Sequence, residues 1–298
     1  MNNNKKCGFI ALMGAPNVGK STLVNNLIGS KISIVTPKVQ TTRASIKGIY
    51  TEGEAQLVFI DTPGLFSAKE KLEKAIVQEA WRRVDEADFL ALLVDAKRGI
   101  CKDTKTVIKS LKQQDKKAAL IINKVDLVQR EGLFQLAQEL NDEGVFTDTF
   151  MVSALKGDGT AKLIEHYSNV APKGPWMFPE DQIMDAPIKF FAAEVTREKI
   201  FMKLQQELPY SVAVETEKWE EGKKGINIHQ VIYVQKNGQK GIILGKGGSM
   251  IKQIGAASRR ELEDILESKV NLFLFVKVRE GWVDNPLIYK EIGLDLAE

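Results

Sequence analysis

The sequence has few residues that build covalent or metal cross-links. Its two cysteines, Cys7 and Cys101, lie far apart without CxxC spacing, which excludes a disulfide scaffold and a zinc ribbon. Only two histidines, His166 and His229, are present, so we do not expect a transition-metal site. This cysteine usage is typical of a protein from a reducing compartment.

Long apolar runs and a net charge of one sign are also missing. No run approaches the roughly 18 residues that a membrane span needs, and Met1–Lys6 lacks the apolar core of a signal peptide. We therefore expect a cytoplasmic protein, with peripheral contact at the inner face of the cell membrane as an alternative. The formal charge of +3, from 42 basic and 39 acidic residues, indicates nothing about partners until its distribution is examined.

The first part of the chain alternates apolar runs with amphipathic segments. Strands are predicted at Gly8–Met13, Gln56–Ile60, Asp88–Val94, Ala118–Ile122 and Phe150–Val152. Helices are predicted at Lys74–Ala87, Thr104–Leu111, Gly132–Leu140 and Ala161–Val170. Strands that alternate with helices indicate an α/β domain with a mostly parallel sheet and helices on both faces, here over residues 1–171.

A proline-rich stretch and a second pattern follow. Residues 172–187 hold four of the nine prolines and are predicted to be a semi-rigid linker. Residues 188–298 then give helices and strands in the order α-β-β-α-α-β, an α+β domain. Its last strand, Val270–Arg279, alternates apolar side chains, and Phe273 and Phe275 on it fit a groove and a core equally well.

The clearest chemical motif lies between the first strand and the first helix. Gly14–Ser21 reads GAPNVGKS and matches GxxxxGK[ST], in the strand–loop–helix context that the motif requires. Its backbone N–H groups can cradle phosphate oxygens, Lys20 can reach the β- and γ-phosphates, and the Ser21 hydroxyl can ligate Mg²⁺. The bare pattern alone also fits a glycine turn that caps a helix.

Three further motifs follow later strands. Asp61-Thr62-Pro63-Gly64 can hold Mg²⁺ through water and place the Gly64 N–H at a γ-phosphate, although DTPG is also a common turn. In Asn123-Lys124-Val125-Asp126, the Asp126 carboxylate can accept hydrogen bonds from guanine N1–H and its exocyclic amine, while adenine offers neither. Ser153-Ala154 can read guanine O6 through a backbone N–H. The order of the four motifs predicts a guanine-nucleotide site at the carboxyl ends of the strands.

These motifs resemble the P-loop GTPase superfamily, and with Gln40-Thr41-Thr42-Arg43 they resemble its bacterial Era branch. In that family a threonine of the second stretch completes Mg²⁺ coordination, and we favour Thr42 over Thr41. The resemblance implies that Lys20, Thr42 and Gly64 act in catalysis. The residues predicted to bind nucleotide are Gly14, Ala15, Pro16, Asn17, Val18, Gly19, Lys20, Ser21, Thr22, Asp61, Thr62, Pro63, Gly64, Asn123, Lys124, Asp126, Ser153 and Ala154.

Two positions refine the expected GTPase reaction. Leu65 follows the DTPG motif where many signalling GTPases carry a water-orienting glutamine, so that route is absent and the expected intrinsic rate is slow. Asn17 resembles the asparagine of potassium-activated GTPases, and its side-chain oxygen can help to hold a K⁺ ion that stabilises transition-state charge. The alternative is that Asn17 only caps the loop.

The second domain carries a segregated basic stretch. Residues 222–260 contain no aspartate or glutamate but eight lysines and arginines, which leaves the rest of the chain at −5. Such a stretch is typical of phosphate binding, although it also fits a solvated surface. Inside it, Gly245-Lys246-Gly247-Gly248 matches the GxxG loop with which KH domains clamp a single-stranded backbone. The residues predicted to bind RNA are Gly245, Lys246, Gly247, Gly248, Lys252, Lys240 and Arg259.

The element order is that of a type II KH domain, and Phe191–Lys199 resembles the opening KH helix of Era proteins. The resemblance therefore covers nearly the whole chain. It implies a monomeric GTP/GDP switch that uses Mg²⁺, binds the 3′ end of small-subunit ribosomal RNA and assists maturation of that subunit. Two alternatives remain open: an RNA-binding module with nucleotide as a structural ligand, and a membrane-surface cell-cycle GTPase.

Overall fold

The computed structural model describes residues 4–39, 41–66, 68, 70–204 and 211–282. Within these ranges the chain forms two compact units, of which the first contains residues up to 33 and 44–185 and the second contains residues 34–43 and those from 186 onward. None of the helices described is long and apolar enough to cross a bilayer.

The first unit is a six-stranded sheet covered by five helices. Its strands are β1 (Lys6–Gly14), β2 (Ile46–Glu52), β3 (Ala55–Asp61), β4 (Phe89–Asp95), β5 (Ala118–Asn123) and β6 (Phe146–Val152). Its helices are α1 (Lys20–Ile28), α2 (Lys71–Asp85), α3 (Lys102–Gln113), α4 (Arg130–Asn141) and α5 (Thr160–Val170). The strand order is β2-β3-β1-β4-β5-β6, and β2 pairs antiparallel with β3 while the other pairs are parallel.

The mostly parallel sheet with helices on both faces confirms the predicted fold class. Every residue of β3 and β5 is buried, because helices cover both faces and a strand in that position is apolar along its length. One face packs against α2, α3 and α4 in a single apolar cluster. The sequence patterns missed β2, and its antiparallel pairing with β3 makes it the exception to the βαβ alternation.

The second unit is a three-stranded sheet with helices packed on it. Helices α6 (Ile188–Lys203), α7 (Asn237–Leu244) and α8 (Ser249–Leu266) accompany strands β7 (Ala213–Gly222), β8 (Gly225–Val234) and β9 (Val270–Val278). Strand β8 is central, antiparallel to β7 and parallel to β9. The order α-β-β-α-α-β is as predicted. The sequence pattern predicts a first helix from Ile188 to about Leu208; the structure ends α6 at Lys203, and residues 205–208 lie outside the described residues.

The proline-rich stretch, which the sequence predicts to be a semi-rigid linker, is hydrogen-bonded to the first unit. Residues up to 185 cluster with the first unit, where Ile183 accepts a backbone bond from Ile49 and the amides of Met177 and Phe178 both donate to the buried side chain of Gln56. The prolines keep this stretch extended, and the edge of the sheet supplies its hydrogen-bond partners. It therefore runs along the first unit as an ordered strap.

Candidate functional site

The loop between β1 and α1 has the backbone geometry that a phosphate cradle needs. Gly14, Asn17 and Gly19 all have positive φ angles, at 147°, 64° and 99°. A Cβ at Gly19 would lie 2.3 Å from Nδ2 of Asn123, so only glycine fits there. Helix α1 starts at Lys20, and the N–H groups of its first turn therefore point into the loop.

Lys20 occupies the centre of this loop. Its Nζ donates to the carbonyl oxygens of Gly14 at 3.1 Å and Ala15 at 3.3 Å. Burial lowers the pKa of Lys20 to about 8, and the nearby charge of Asp61 opposes that change. Burial deprives the ammonium of its hydration. Negatively charged phosphate oxygens that approach it would stabilise its charged form in place of that water.

The DTPG motif lies at the end of β3, beside the phosphate loop. Asp61 is fully buried, and the Thr62 hydroxyl donates to the carbonyl of Leu12 at 2.6 Å. A Cβ on Gly64 would lie 3.0 Å from Pro16, so the two loops pass close to each other. Leu65 is buried in the apolar cluster of the first unit, and its N–H bonds to the carbonyl of Gly14 at 3.0 Å.

Asn123, at the end of β5, joins three loops. Its Nδ2 donates to the carbonyl of Val18 at 2.8 Å, and its Oδ1 accepts from the N–H groups of Lys124 at 2.8 Å and Ala154 at 2.9 Å. The side chain is 1% exposed, so loss of these partners would leave a buried amide unsatisfied. One side chain thus fixes the phosphate loop relative to the two predicted base-recognition motifs.

A cavity of about 190 Å³ lies next to this junction. It is lined by Gly19, Thr22, Asn123, Lys124, Asp126, Leu127, Ser153, Ala154 and Leu155. The Ser153 hydroxyl donates to Oδ1 of Asp126 at 2.7 Å, and the Lys156 ammonium lies 3.9 Å from Oδ2. The bond from Ser153 and the nearby lysines keep the pKa of Asp126 below its ordinary value. The cavity therefore has an ionised carboxylate on its wall, which can accept hydrogen bonds.

The sequence patterns missed four residues of this site. Asp95, at the end of β4, accepts from Nζ of Lys124 at 2.7 Å, which fixes the stem of that lysine at the cavity. Arg98 donates to the carbonyl of Pro16 at 2.8 Å and so braces the phosphate loop. Leu127 and Leu155 complete the cavity wall. The sequence could have indicated Asp95, because it ends an apolar strand as Asp61 does. No sequence pattern indicates the other three residues.

Thr41 and Thr42, the candidate Mg²⁺ ligands, lie in segment 34–43 and are packed within the second unit. There the Thr41 hydroxyl donates to the carbonyl of Lys38 at 2.7 Å, and the buried Arg197 donates to the carbonyl of Thr41. The carboxylate of Glu198 accepts from the N–H of Val35 at 2.8 Å. Gln40 of the same motif lies outside the described residues.

The GxxG loop of the second unit links α7 to α8. Gly245, Gly247 and Gly248 have φ angles of 70°, 59° and 76°, a conformation that side chains rarely adopt. A Cβ would meet nothing within 4 Å at Gly247 or Gly248, so the backbone is open to an approaching phosphate. Helix α8 begins directly after the loop and adds its N-terminal N–H groups.

An open groove of about 330 Å³ runs beside this loop between α8 and β9. It is lined by Ile251, Lys252, Gly255, Ala256, Arg259, Leu272 and Leu274. Two of the predicted RNA-binding cations, Lys252 and Arg259, are therefore on its wall. Lys240 and Lys246 lie on α7 and in the loop and do not line it.

Models of two protein families match the chain. Residues 9–124 match the family described as 50S ribosome-binding GTPase, and residues 207–283 match the KH domain family. Within the described residues, no cluster of three or more His, Cys, Asp or Glu side chains that could hold a metal ion is present.

Curated relatives and solved structures cover nearly the full chain. GTPase Era of Rhizobium meliloti (strain 1021) is 53% identical over 294 residues, which is 98% of this chain and 94% of that one. GTPase Era of Brucella suis biovar 1 (strain 1330) is 50% identical over 97% of this chain and 94% of its own.

Among solved structures, Era in complex with MgGDPNP and nucleotides 1506–1542 of 16S ribosomal RNA matches with a TM-score of 0.93 at 36% identity, over 98% of this chain and 100% of that one. A single-residue variant of Aquifex aeolicus Era bound to GDP·AlF₄⁻ matches with the same TM-score, identity and coverage. The likeness therefore spans both compact units.

Proposed function

The chain belongs to the Era family of GTPases, and we propose that it binds the 3′ end of 16S ribosomal RNA through its KH domain and assists maturation of the 30S subunit. The observation that carries this proposal is the likeness, over 98% of the chain, to an Era structure that holds MgGDPNP and nucleotides 1506–1542 of that RNA. GTP hydrolysis resets the protein after each round of RNA binding.

We propose specific roles for the residues of the nucleotide site. The loop from Gly14 to Thr22 holds the phosphates, with Lys20 stabilising the charge that develops on the γ-phosphate. Asp126 reads guanine N1–H and the exocyclic amine, supported by the hydroxyl of Ser153. The N–H of Gly64 meets the γ-phosphate, which makes the DTPG loop sensitive to hydrolysis.

The oxygen ligands fit Mg²⁺, a hard cation that prefers carboxylate and hydroxyl groups. Ser21 and Thr42 would hold it directly and the buried carboxylate of Asp61 through water. Held by these residues, Mg²⁺ would supply positive charge that offsets the negative charge of the nucleotide phosphates. Thr41 is the weaker candidate because its hydroxyl donates to the carbonyl of Lys38.

The intrinsic rate of hydrolysis is slow in this proposal, because the Leu65 side chain is buried in the apolar cluster and orients no water. The side-chain oxygen of Asn17 would help to hold K⁺, whose charge would supply part of the missing transition-state stabilisation. The test compares GTPase rates in KCl and NaCl for the wild type and for Asn17→Ala. Faster hydrolysis in KCl that the variant loses supports this role, and equal wild-type rates in the two salts contradict it.

The RNA proposal is tested with a single-stranded oligonucleotide that copies the 3′ end of 16S RNA. Its affinity is measured at one salt concentration with GDP and with GDPNP, because phosphate contacts make affinity strongly salt-dependent. We expect tighter binding with GDPNP, and loss of binding in Gly248→Asp, where a carboxylate enters the phosphate path.

Gly53→Asp is the matched control for that variant. Gly53 also has a left-handed backbone, with φ of 58°, and a Cβ there would meet nothing within 4 Å, but it lies in the β2–β3 turn of the first unit. It should leave RNA affinity unchanged. Equal affinity with GDP and GDPNP would mean that nucleotide is only a structural ligand, and no binding in either state would contradict the RNA assignment.

A further inference from the structure

Helix α3 of the first unit carries a row of exposed lysines. Val107 and Leu111 pack into the apolar cluster of that unit and define the buried side of the helix. Lys102, Lys105 and Lys109 are exposed, and residues spaced three and four apart lie next to one another on a helix. Their three ammonium groups therefore share one side of α3, which we call the lysine face.

A cavity of about 360 Å³ lies along the lysine face. It is lined by Ile100, Lys102, Lys105, Thr106 and Lys109. Three of these residues carry an ammonium group, and none carries a carboxylate. A ligand that enters the cavity therefore meets positive charge and strong hydrogen-bond donors, which favours an anion with several oxygen atoms.

The lysine face has no acidic partner of its own. In the part of the chain that the structure describes, the ammonium groups of its three residues take part in no ion pair or hydrogen bond. Glu143 pairs instead with Lys112 at 2.5 Å, near the end of α3. Asp85 pairs with Lys116, which follows that end. The charge of the lysine face therefore remains accessible to a ligand.

The charges of the surrounding chain leave the same excess. Residues 96–117 carry eight lysines and arginines against two aspartates, Asp103 and Asp115. On helix α4, Glu131 and Glu139 are exposed, and within the described ranges neither forms an ion pair with the lysine face. Cations therefore outnumber carboxylates in this stretch even after the two ion pairs at its end are subtracted, and such a surface attracts a polyanion.

The other side chains of α3 distinguish between kinds of polyanion. A helix that lies on a membrane needs large apolar side chains on its outward side, whereas the exposed residues of α3 are four lysines, Thr106 and Gln113. The centre of a protein interface is rich in aromatic residues and poor in lysine, and no aromatic residue lines this cavity. The phosphate backbone of a nucleic acid needs only accessible positive charge, so it fits the lysine face best.

We propose that the lysine face binds the sugar–phosphate backbone of small-subunit ribosomal RNA, outside the 3′-end strand that the GxxG loop takes. Lysine is a point charge without a planar fork, so the contact positions the protein and reads no base sequence. Two contacts with one particle strengthen each other, because the first raises the effective concentration of the second. This inference rests on the proposed function, because it takes the small ribosomal subunit as the partner particle.

The first test measures the affinity for purified 30S subunits with GDPNP over a series of KCl concentrations at fixed Mg²⁺. The double variant Lys105→Gln/Lys109→Gln removes two charges and keeps good helix formers. It should bind 30S subunits about tenfold more weakly, and the slope of log affinity against log salt should fall by about 2, one for each phosphate contact. Its affinities for GDP and for the 3′-end oligonucleotide should be unchanged, which also shows that both folds are intact.

The matched control removes two lysines that already have partners. Lys112→Gln/Lys116→Gln takes the same charge from the same stretch, but these lysines pair with Glu143 and Asp85. This variant should keep the wild-type affinity and salt slope. Lys105→Arg/Lys109→Arg retains both charges at the lysine face and should restore binding of the subunit.

The second test identifies what touches the lysine face. A photo-crosslinking benzophenone amino acid replaces Thr106, and the protein is irradiated with 30S subunits. A crosslinked product that ribonuclease degrades, and whose RNA maps outside nucleotides 1506–1542, supports the proposal. A product with a subunit protein, or with the single-stranded 3′ end, overturns it.

Each remaining outcome also decides. Unchanged affinity of Lys105→Gln/Lys109→Gln for the subunit, weakening without a change in salt slope, or equal weakening by the control would overturn the proposal. Unchanged subunit binding together with lost binding to vesicles of phosphatidylcholine and phosphatidylglycerol would assign the lysine face to a membrane instead. Failure of the wild type to bind the oligonucleotide contradicts the proposed function, and the comparison of the two double variants on 30S subunits is read separately from it.

Discussion

Guanine selectivity by Asp126 gives the sharpest prediction. The carboxylate lies at the cavity beside Asn123, where Ser153 donates to Oδ1 at 2.7 Å. Asp126→Asn keeps the size of the side chain and lets the amide oxygen accept the bond from Ser153. The substituted amide group, however, presents N–H donors to the N–H groups of guanine, so attraction becomes repulsion.

The size of the effect follows from the two hydrogen bonds that guanine would donate. A hydrogen bond to a charged group contributes roughly tenfold to a hundredfold in affinity. Loss of both should weaken GDP and GTP binding by about 10²- to 10⁴-fold. Xanthine carries a carbonyl oxygen where guanine has its exocyclic amine, so it accepts from the new amide, and xanthine nucleotides should bind the variant more tightly than guanine nucleotides.

The assay is equilibrium titration with fluorescent GDP and xanthosine diphosphate analogues. Asp142→Asn, which neutralises an exposed carboxylate at the end of α4, is the control and should bind GDP like the wild type. Unchanged GDP affinity in Asp126→Asn would falsify the assignment of Asp126. Equal loss of both nucleotides, with no preference for xanthine, would show that Asp126 only supports the loop.

Three further predictions concern the loop, its lysine and the second unit. The pKa of Lys20 is about 8 in the folded protein and 10.5 in an unfolded chain, so between about pH 8 and 10.5 the unfolded state binds more protons. The free energy of unfolding of the nucleotide-free protein should therefore rise with pH across that window. The phosphates of bound GDP should raise the pKa of Lys20, so that Lys20 takes up a proton on binding at a pH of about 8.5. Titration calorimetry in buffers of different ionisation enthalpy should detect this proton uptake, which should be absent at about pH 7. Gly19→Ala should weaken GDP binding more than tenfold, because the new Cβ would lie 2.3 Å from Nδ2 of Asn123. Gly29→Ala is the control: its Cβ would meet nothing within 4 Å, and the variant should bind GDP normally. Equal GDP affinities of the two variants would contradict the close approach at Gly19. Glu198→Ala should speed hydrogen exchange at the backbone amide of Val35, which donates a hydrogen bond to the Glu198 carboxylate. Glu198→Gln keeps an acceptor and should restore most of the protection. Unchanged exchange at Val35 in both variants would contradict that bond.

Local patterns predicted the strands whose apolar runs are continuous, because burial on both faces leaves a strong signal in the sequence. They also predicted the motif residues of the first unit, since each motif follows a strand and carboxyl ends of parallel strands meet at one edge of the sheet. Strand β2 was missed, and the ends of most elements moved by a few residues, because tertiary hydrogen bonds determine where a strand stops.

The sequence by itself determined the order of the two folds, the guanine-nucleotide motifs and the acid-free stretch around Gly245–Gly248, because these depend on residue type and spacing along the chain. Only the tertiary structure decided which face of β9 Phe273 and Phe275 occupy, since alternation defines two faces without saying which one the helices cover. Likewise, the packing of segment 34–43 within the second unit depends on groups distant in sequence, such as Arg197. The pKa of Lys20 is lowered by burial, which the folded loop and its neighbours produce together. Burial and charge act through space, and the chain order does not record which groups folding brings together.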